Sequence, residues 1–177
     1  MVPLETNRLR LRLFEPGDVA ALAALYEDPE VMHFIPVGKE PPDCPGQVER
    51  FRDRFEQSGY TLWLAERKDD GAFVGRVGLW PLDGTDEVEL AYLLERRHWG
   101  SGLATEAAAA CLQFGFTQCR LSSIAAIADP DNGASLRVME KLGFRFVRED
   151  RFYGIAVRYH LLHREEWEHS HGAHAGD

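Results

Sequence analysis

The sequence predicts an α+β fold with a mixed parallel and antiparallel sheet, on three observations. Leu9, Leu11 and Leu13 alternate with Arg8, Arg10 and Arg12, the period-two pattern of a half-buried strand. An alanine-rich run from Leu103 to about Gln118 reads as a central helix. The whole chain reads in the order strand, two helices, helix, three strands, helix, strand, helix and two strands, which is a layered α+β arrangement. At 177 residues a single domain is the expectation, residues 1–168, followed by a flexible polar tail, 169–177.

Each element has a local reason. Pro16-Gly17-Asp18 introduces a helical stretch from Val19 to Tyr26, with Asp18 as the expected N-cap, and Asp28-Pro29-Glu30 starts a second short helix. The Pro-rich run Val37 to Gly46 reads as a loop, and Glu49 to Ser58, with Phe51 and Phe55 on one face, as a helix. Tyr60 to Glu66 and Ala72 to Trp80 are strands joined by a hairpin at Lys68-Asp69-Asp70-Gly71. Val88 to Leu94 follows the turn at Asp83-Gly84. After the central helix, Leu121 to Ala128 is a strand, and Asn132 or a neighbour caps a helix that ends at Gly143. Phe144 to Phe152 and Ile155 to His163 form a last strand pair around Tyr153-Gly154. From His169 the chain is too polar to bury anything, so His169, His171 and His174 read as solvated.

Composition narrows the function classes. Hydrophobic residues make up 45% and charged residues 28% of the chain, the balance of a globular protein that folds alone. A formal net charge of −9 argues against a nucleic-acid partner, whose backbone is bound through Lys and Arg, and is compatible with a cationic acceptor. Cys44, Cys111 and Cys119 cannot all pair and have neither zinc-ligand nor Cys-x-x-Cys spacing, which fits a reducing cytoplasm. Neither a signal-peptide pattern nor an apolar run of membrane-spanning length is present, so a cytoplasmic location without a membrane partner is expected. No histidines form a His-x-x-x-His pair, and no metal is expected.

The most informative segment runs from Arg96 to Ala107, where a strand passes through Gly100 and Gly102 directly into the central helix. Such a turn presents unpaired backbone N–H groups and the positive end of the helix dipole, a geometry suited to a pyrophosphate. Glycine lets the backbone approach a ligand closely and adopt positive φ. A nucleoside-triphosphate loop would need Lys-Ser/Thr after the second glycine and a dinucleotide fold a third glycine; both are missing.

Arg97-His98-Trp99-Gly100-Ser101-Gly102 resembles the Gln/Arg-x-x-Gly-x-Gly/Ala acyl-coenzyme A signature of the GNAT N-acetyltransferases at every fixed position. Asn132 to Phe144 resembles a second segment of that superfamily, Asn-x-x-Ser running to Lys-Leu-Gly-Phe. The opening Leu4-Glu5-Thr6-Asn7-Arg8-Leu9-Arg10-Leu11-Arg12 is similar to the first strand of the RimJ/RimL branch, which includes ribosomal-protein N-terminal acetyltransferases. The resemblance spans Leu4 to about Trp167. It implies the acyl-CoA N-acyltransferase fold, a mostly antiparallel central sheet flanked by helices, with the two short helices after the first strand near the acceptor. It also implies acetyl-CoA as the acyl donor cosubstrate and an amine acceptor, a protein N-terminus or a small molecule. Such enzymes permit a homodimer, although no residue here demonstrates one.

Acyl transfer to an amine needs a base, since an alkyl ammonium of pKa about 10.4 cannot attack, and a proton donor helps a thiolate of pKa about 8.5 depart. Glu89 is the candidate base: on its strand it shares a face with Glu87, Ala91 and Leu93, and Glu89-Leu90-Ala91-Tyr92 resembles the family's Glu-x-Gly-Tyr. Its other reading is a strand-edge carboxylate paired with an arginine. Ser135, the Ser of Asn-x-x-Ser, is the candidate partner of the departing sulfur; its other reading is a helix-start residue bonding only backbone. The resemblance implies a cofactor set in which Leu93 and Leu94 offer main-chain groups to the pantetheine arm and His98, Gly100, Ser101, Gly102, Leu103, Ala104 and Thr105 form the phosphate turn. In the same set Arg96 and Arg97 supplement the phosphates, and Asn132 either contacts the pantetheine or caps its helix. Trp99 covers the turn or packs it. Cys111 and Cys119 have no neighbouring His and read as core, which argues against an acyl-enzyme. A rival reading is a non-catalytic acyl-CoA sensor or interaction module on the same fold.

Overall fold

The computed structural model describes residues 4–36 and 42–172. Eight strands form one sheet in the order β1-β2-β3-β4-β5-β6-β8-β7: β1 Leu4–Glu5, β2 Leu9–Arg12, β3 Leu62–Arg67, β4 Phe73–Pro81, β5 Val88–Leu94, β6 Ser123–Ala128, β7 Arg145–Phe152 and β8 Ile155–His163. The helices are α1 Val19–Glu27, α2 Pro29–Met32, α3 Cys44–Ser58, α4 Leu103–Thr117, α5 Gly133–Lys141 and α6 Arg164–Gly172. Neighbouring strands are antiparallel except β5 and β6, which run parallel and register only at Glu89 with Ala125.

Apolar faces on both sides of the sheet find cover. Against one face lies α4, whose Leu103, Ala107, Ala108, Cys111, Leu112 and Phe116 join Leu9, Leu11, Trp63, Val77, Leu79, Leu90 and Leu94 in the larger core. Its small residues allow close approach. A Cβ on Gly115 would stand 2.8 Å from Leu79 Cδ1 and 2.9 Å from Ile124 Cδ1, so helix and sheet meet where no side chain fits. Against the other face, α1, α2 and α3 bring Leu22, Leu25, Val31, Val48 and Phe51 onto Leu62, Leu64 and Leu93.

Four expectations are corrected. The opening segment folds as a tight hairpin of β1 and β2 instead of one strand, because Thr6 turns the chain: its Oγ1 accepts from Leu9 N–H at 2.9 Å. Asp18 does not cap α1 through its side chain, which instead accepts from Glu15 N–H at 2.7 Å and binds Arg12 at 2.7 and 2.9 Å. The third helix begins at Cys44, well before Glu49, since Asp43 accepts from Gly46 N–H and Pro45 suits a first turn. Residues 37–41 of the expected loop lie outside the described residues.

The fourth correction concerns the C-terminus, where α6 runs through 169–172, placed in the tail by sequence. Its Trp167 ring packs 5.3 Å from Phe116, which anchors the helix on the core. Residues 173–177, with His174, lie outside the described residues. No described helix is long and apolar enough to cross a membrane.

Candidate active site

The site forms where β5 and β6 part. Past Glu89 the edge of β5 that faces β6 has no strand partner, while its other edge stays paired to β4 as far as Leu94 with Gly75. A cavity of about 880 Å³ opens at this divergence and reaches from the turn after β5 to α2 and α3.

Glycine geometry shapes the donor end. Gly100 and Gly102 take φ of +71° and +81°, left-handed values that a side chain resists. None of the backbone N–H groups from Gly100 to Thr105 donates to an acceptor among the described residues, and no side chain caps α4. These orphan donors at a helix N-terminus fit a pyrophosphate, so the cradle suits coenzyme A.

Sequence reasoning missed the cation beside this cradle. Arg8 donates to Ser101 O at 3.0 Å and, through Nε, to Glu106 Oε2 at 2.7 Å. Glu106 also accepts from Arg8 N–H and from Thr6 Oγ1, so one carboxylate in the first turn of α4 clasps the β1–β2 hairpin to the turn. The Arg8–Glu106 contact joins residues 98 positions apart, and no local pattern announces it.

The arginines proposed for that role turn away. Arg97 pairs with Glu95 at 2.7 Å, Arg96 faces Asp28 at 3.8 Å, and neither lines the cavity. Ser101 does not line it either: its hydroxyl donates to His98 O at 2.5 Å. His98, Gly100, Gly102, Leu103, Ala104 and Thr105 do, as do Leu93 and Leu94. The buried His98 ring is engaged with Phe73 O at 3.3 Å and Glu95 at 3.5 Å. Leu94 O is already used, accepting from the indole N–H of half-exposed Trp99 at 2.9 Å, so Trp99 packs the end of the turn.

Glu89 lines the middle of the cavity and is 6% exposed. Burial pushes its carboxyl up from 4.5 to about 7, partly offset by a hydrogen bond from Tyr153 and the positive charge of Arg76. Tyr153 Oη donates to Glu89 Oε1 at 2.9 Å from the β7–β8 turn, where Tyr153 itself holds a φ of +52°. That partner replaces the arginine pair expected for a strand-edge carboxylate. The Tyr-Gly pair announced a turn but gave no sign of reaching a residue 64 positions away.

Ser135 stands in the first turn of α5, its N–H donating to Asn132 Oδ1 at 3.1 Å, so Asn132 caps the helix while lining the cavity. The Ser135 hydroxyl lies 2.7 Å from Tyr92 Oη and therefore bonds more than backbone. Burial pushes the Tyr92 phenol up to about 12, so it stays protonated at neutral pH. Tyr92 belongs to the sequence motif around Glu89 but reaches Ser135 because alternate β5 residues point to opposite faces. The cavity thus joins a half-ionised carboxylate, a hydroxyl pair and an anion cradle, the parts acyl transfer requires. The thiols offer no rival nucleophile: Cys44 and Cys111 are buried, and burial pushes all three thiols up.

Comparison with known proteins identifies the family of the fold. The family model for the acetyltransferase (GNAT) domain matches residues 8–145. The chain is 38% identical over 151 residues to the uncharacterized Bacillus subtilis protein YkkB, covering 84% of this chain and 88% of that one. It is 30% identical over 147 residues to the uncharacterized N-acetyltransferase YoaA of Bacillus subtilis, covering 80% and 82%. A GNAT-family acetyltransferase from Bacillus anthracis superposes with a TM-score of 0.79 at 26% identity, covering 93% of this chain and 99% of that one. The chain belongs to the GNAT acetyltransferase family, whose acyl donor is acetyl-CoA.

Proposed function

We propose that this protein is an acetyl-CoA-dependent N-acetyltransferase acting on a primary amine by direct attack in a ternary complex. The observation that carries the reading is the convergence of Glu89 and the Tyr92–Ser135 pair on one cavity with the orphan N–H groups of the Gly100–Thr105 turn. Acetyl-CoA supplies the activated acetyl group. The turn holds its phosphates, with Arg8 and Glu106 bracing the turn from outside the cavity, and the open edge of β5 beside Leu93 receives its pantetheine arm.

Glu89 takes the ammonium proton, directly or through water, and a carboxyl near 7 suits a base at neutral pH. Tyr153 holds that carboxylate in place. As the C–S bond breaks, the Ser135 hydroxyl, supported by Tyr92 at 2.7 Å, hydrogen-bonds the departing sulfur, and the second proton shed by the attacking nitrogen ends on that sulfur, leaving both hydroxyls as they began.

The similarity of the opening segment to the RimJ/RimL branch favours a protein N-terminal amine, with small-molecule amines as the other acceptors. Free thiols at Cys44, Cys111 and Cys119 fit a cytoplasmic enzyme, and a homodimer remains part of the reading. The sensor reading leaves Glu89 and the Tyr92–Ser135 pair without a task.

The test is steady-state thiol release from acetyl-CoA over a panel of primary amines and N-terminal peptides, with the product identified by mass. Acetylated amine matching the released thiol is expected. Tight acetyl-CoA binding without thiol release across the panel would establish the sensor instead.

A further inference from the structure

Arg76 lines the cavity, and its charge acts on Glu89 without pairing with it. Register places Arg76, Gly78 and Trp80 of β4 opposite Leu93, Ala91 and Glu89 of β5. Arg76 and Glu89 therefore share the sheet face covered by α1, α2 and α3, and both line the cavity. Among the described residues, no carboxylate comes within 4.0 Å of the Arg76 guanidinium, and its buried Nε has no hydrogen-bond partner. Its near neighbour is Tyr26, whose ring centre lies 5.6 Å from the guanidinium carbon and whose hydroxyl donates to Gln47 at 2.8 Å while interacting with Arg76.

Arg76 is part-buried, and its unpaired buried Nε carries a desolvation cost that no partner offsets. On the neighbouring strands, by contrast, Arg12 of β2 meets Asp18 and Glu66, and Arg67 of β3 meets Asp70. Charge on this wall runs against that of the chain, which totals −9. Arg50 of α3 also lines the cavity, with only a 3.8 Å contact to Asp43, while Glu30 and Asp129 are the carboxylates other than Glu89 that line it among the described residues. Between Arg76 and Glu89 the wall is apolar and aromatic, built by Phe51, Trp80 and Ala91.

We infer that the acceptor is a small amine that also carries an oxyanion, a carboxylate or a phosphate, and that Arg76 binds that oxyanion while Glu89 receives the amine. The inference rests on the acetyl-transfer reading and, on the evidence of this wall, sets a small anionic amine ahead of the protein N-terminal amine that the opening segment favours. A guanidinium binds either anion through its N–H groups, and a planar fork suits both. Arg76 is then a specificity-determining residue on the acceptor side, separate from the phosphate cradle.

The test pairs each anionic amine with its neutral twin: aminocarboxylates of increasing length against the matching alkylamines, and phosphoethanolamine against ethanolamine. The readout is the ratio of kcat/KM within each pair at saturating acetyl-CoA. A charge-assisted contact of about 1.5–3 kcal/mol corresponds to roughly 10- to 150-fold preference for the anionic twin. Arg76→Gln should bring that ratio near one by raising acceptor KM, and Arg76→Lys should restore part of it. The pair with the larger ratio identifies carboxylate or phosphate.

A ratio near one in the unmodified enzyme, a ratio that survives Arg76→Gln, or a rise in acetyl-CoA KM in place of acceptor KM would each overturn the inference. Turnover of amines without charge discrimination defeats this inference alone, whereas no turnover with any amine defeats the transferase reading and this one with it. If Arg76→Gln is poorly folded, equilibrium binding of each twin to the unmodified protein with coenzyme A, measured by calorimetry, decides the same question. Equal affinity for the twins counts against it.

Discussion

Replacing Glu89 by Gln tests the buried carboxylate through folding as well as turnover. Burial raises the carboxyl from its ordinary 4.5 to about 7, so the folded state holds the proton more tightly than the unfolded chain. Below 4.5 both states are protonated and nothing is lost. As pH rises from 4.5 to about 7 the unfolded chain releases its proton first, and stability falls; above about 7 the full penalty of about 3 kcal/mol is present. Gln has nearly the same shape, never ionises and still accepts from Tyr153. Urea unfolding of both proteins from about pH 4 to about pH 8.5 should therefore show the variant gaining about 3 kcal/mol on its parent, with most of the change between 4.5 and 7. Turnover should move the other way, falling by about 10²–10⁴-fold at neutral pH and recovering partly at higher pH, where more of the amine is deprotonated. Stability curves that stay parallel, together with an unaltered rising limb near pH 7, would refute both the burial penalty and the assignment of the base.

Three further outcomes follow from the same site. Gly102→Val forces a β-branched residue into a φ of +81° beside Arg8, and it should weaken coenzyme binding by about tenfold or more by calorimetry while the domain stays folded; unchanged affinity would remove the cradle from the donor site. Ser135→Ala should lower kcat by about 10²-fold or more at similar coenzyme affinity, and Tyr92→Phe by less if the phenol acts through the serine; normal turnover in Ser135→Ala would leave it a helix-start residue. A triple serine replacement of Cys44, Cys111 and Cys119 should keep coenzyme affinity and turnover while losing about 1–3 kcal/mol in chemical denaturation, chiefly at Cys111; a trapped acyl-cysteine that proceeds to product would overturn direct transfer.

Features with a local cause were legible in the sequence. The Val88–Leu94 strand has the bounds expected of it, since turn residues flank it, and the Gly100–Gly102 turn is fixed by the positive φ that only glycine adopts easily. Asn132 reads as a cap and is one. What escaped depends on contacts between distant segments. Asp18 has the composition of a cap, yet Arg12 across the bend competes for its carboxylate and wins. Arg96 and Arg97 stand next to the turn in sequence, but Asp28 and Glu95 claim them, while Arg8 arrives from the far end of the chain. Tyr153 and Arg76 gained their place through sheet order and register, which no single segment encodes.

The parting of β5 and β6 has a consequence for what can enter. An unpaired strand edge on a protein surface invites another chain to add itself, with aggregation as the hazard. Here the edge lines the cavity beside a parallel neighbour. In the proposed reading the thin pantetheine arm, with its own amide groups, takes the place of the missing strand, so the donor itself covers the groups that would otherwise invite another chain. Bulk added at Ala91, which lines the same cavity, would crowd that space without removing a single hydrogen bond.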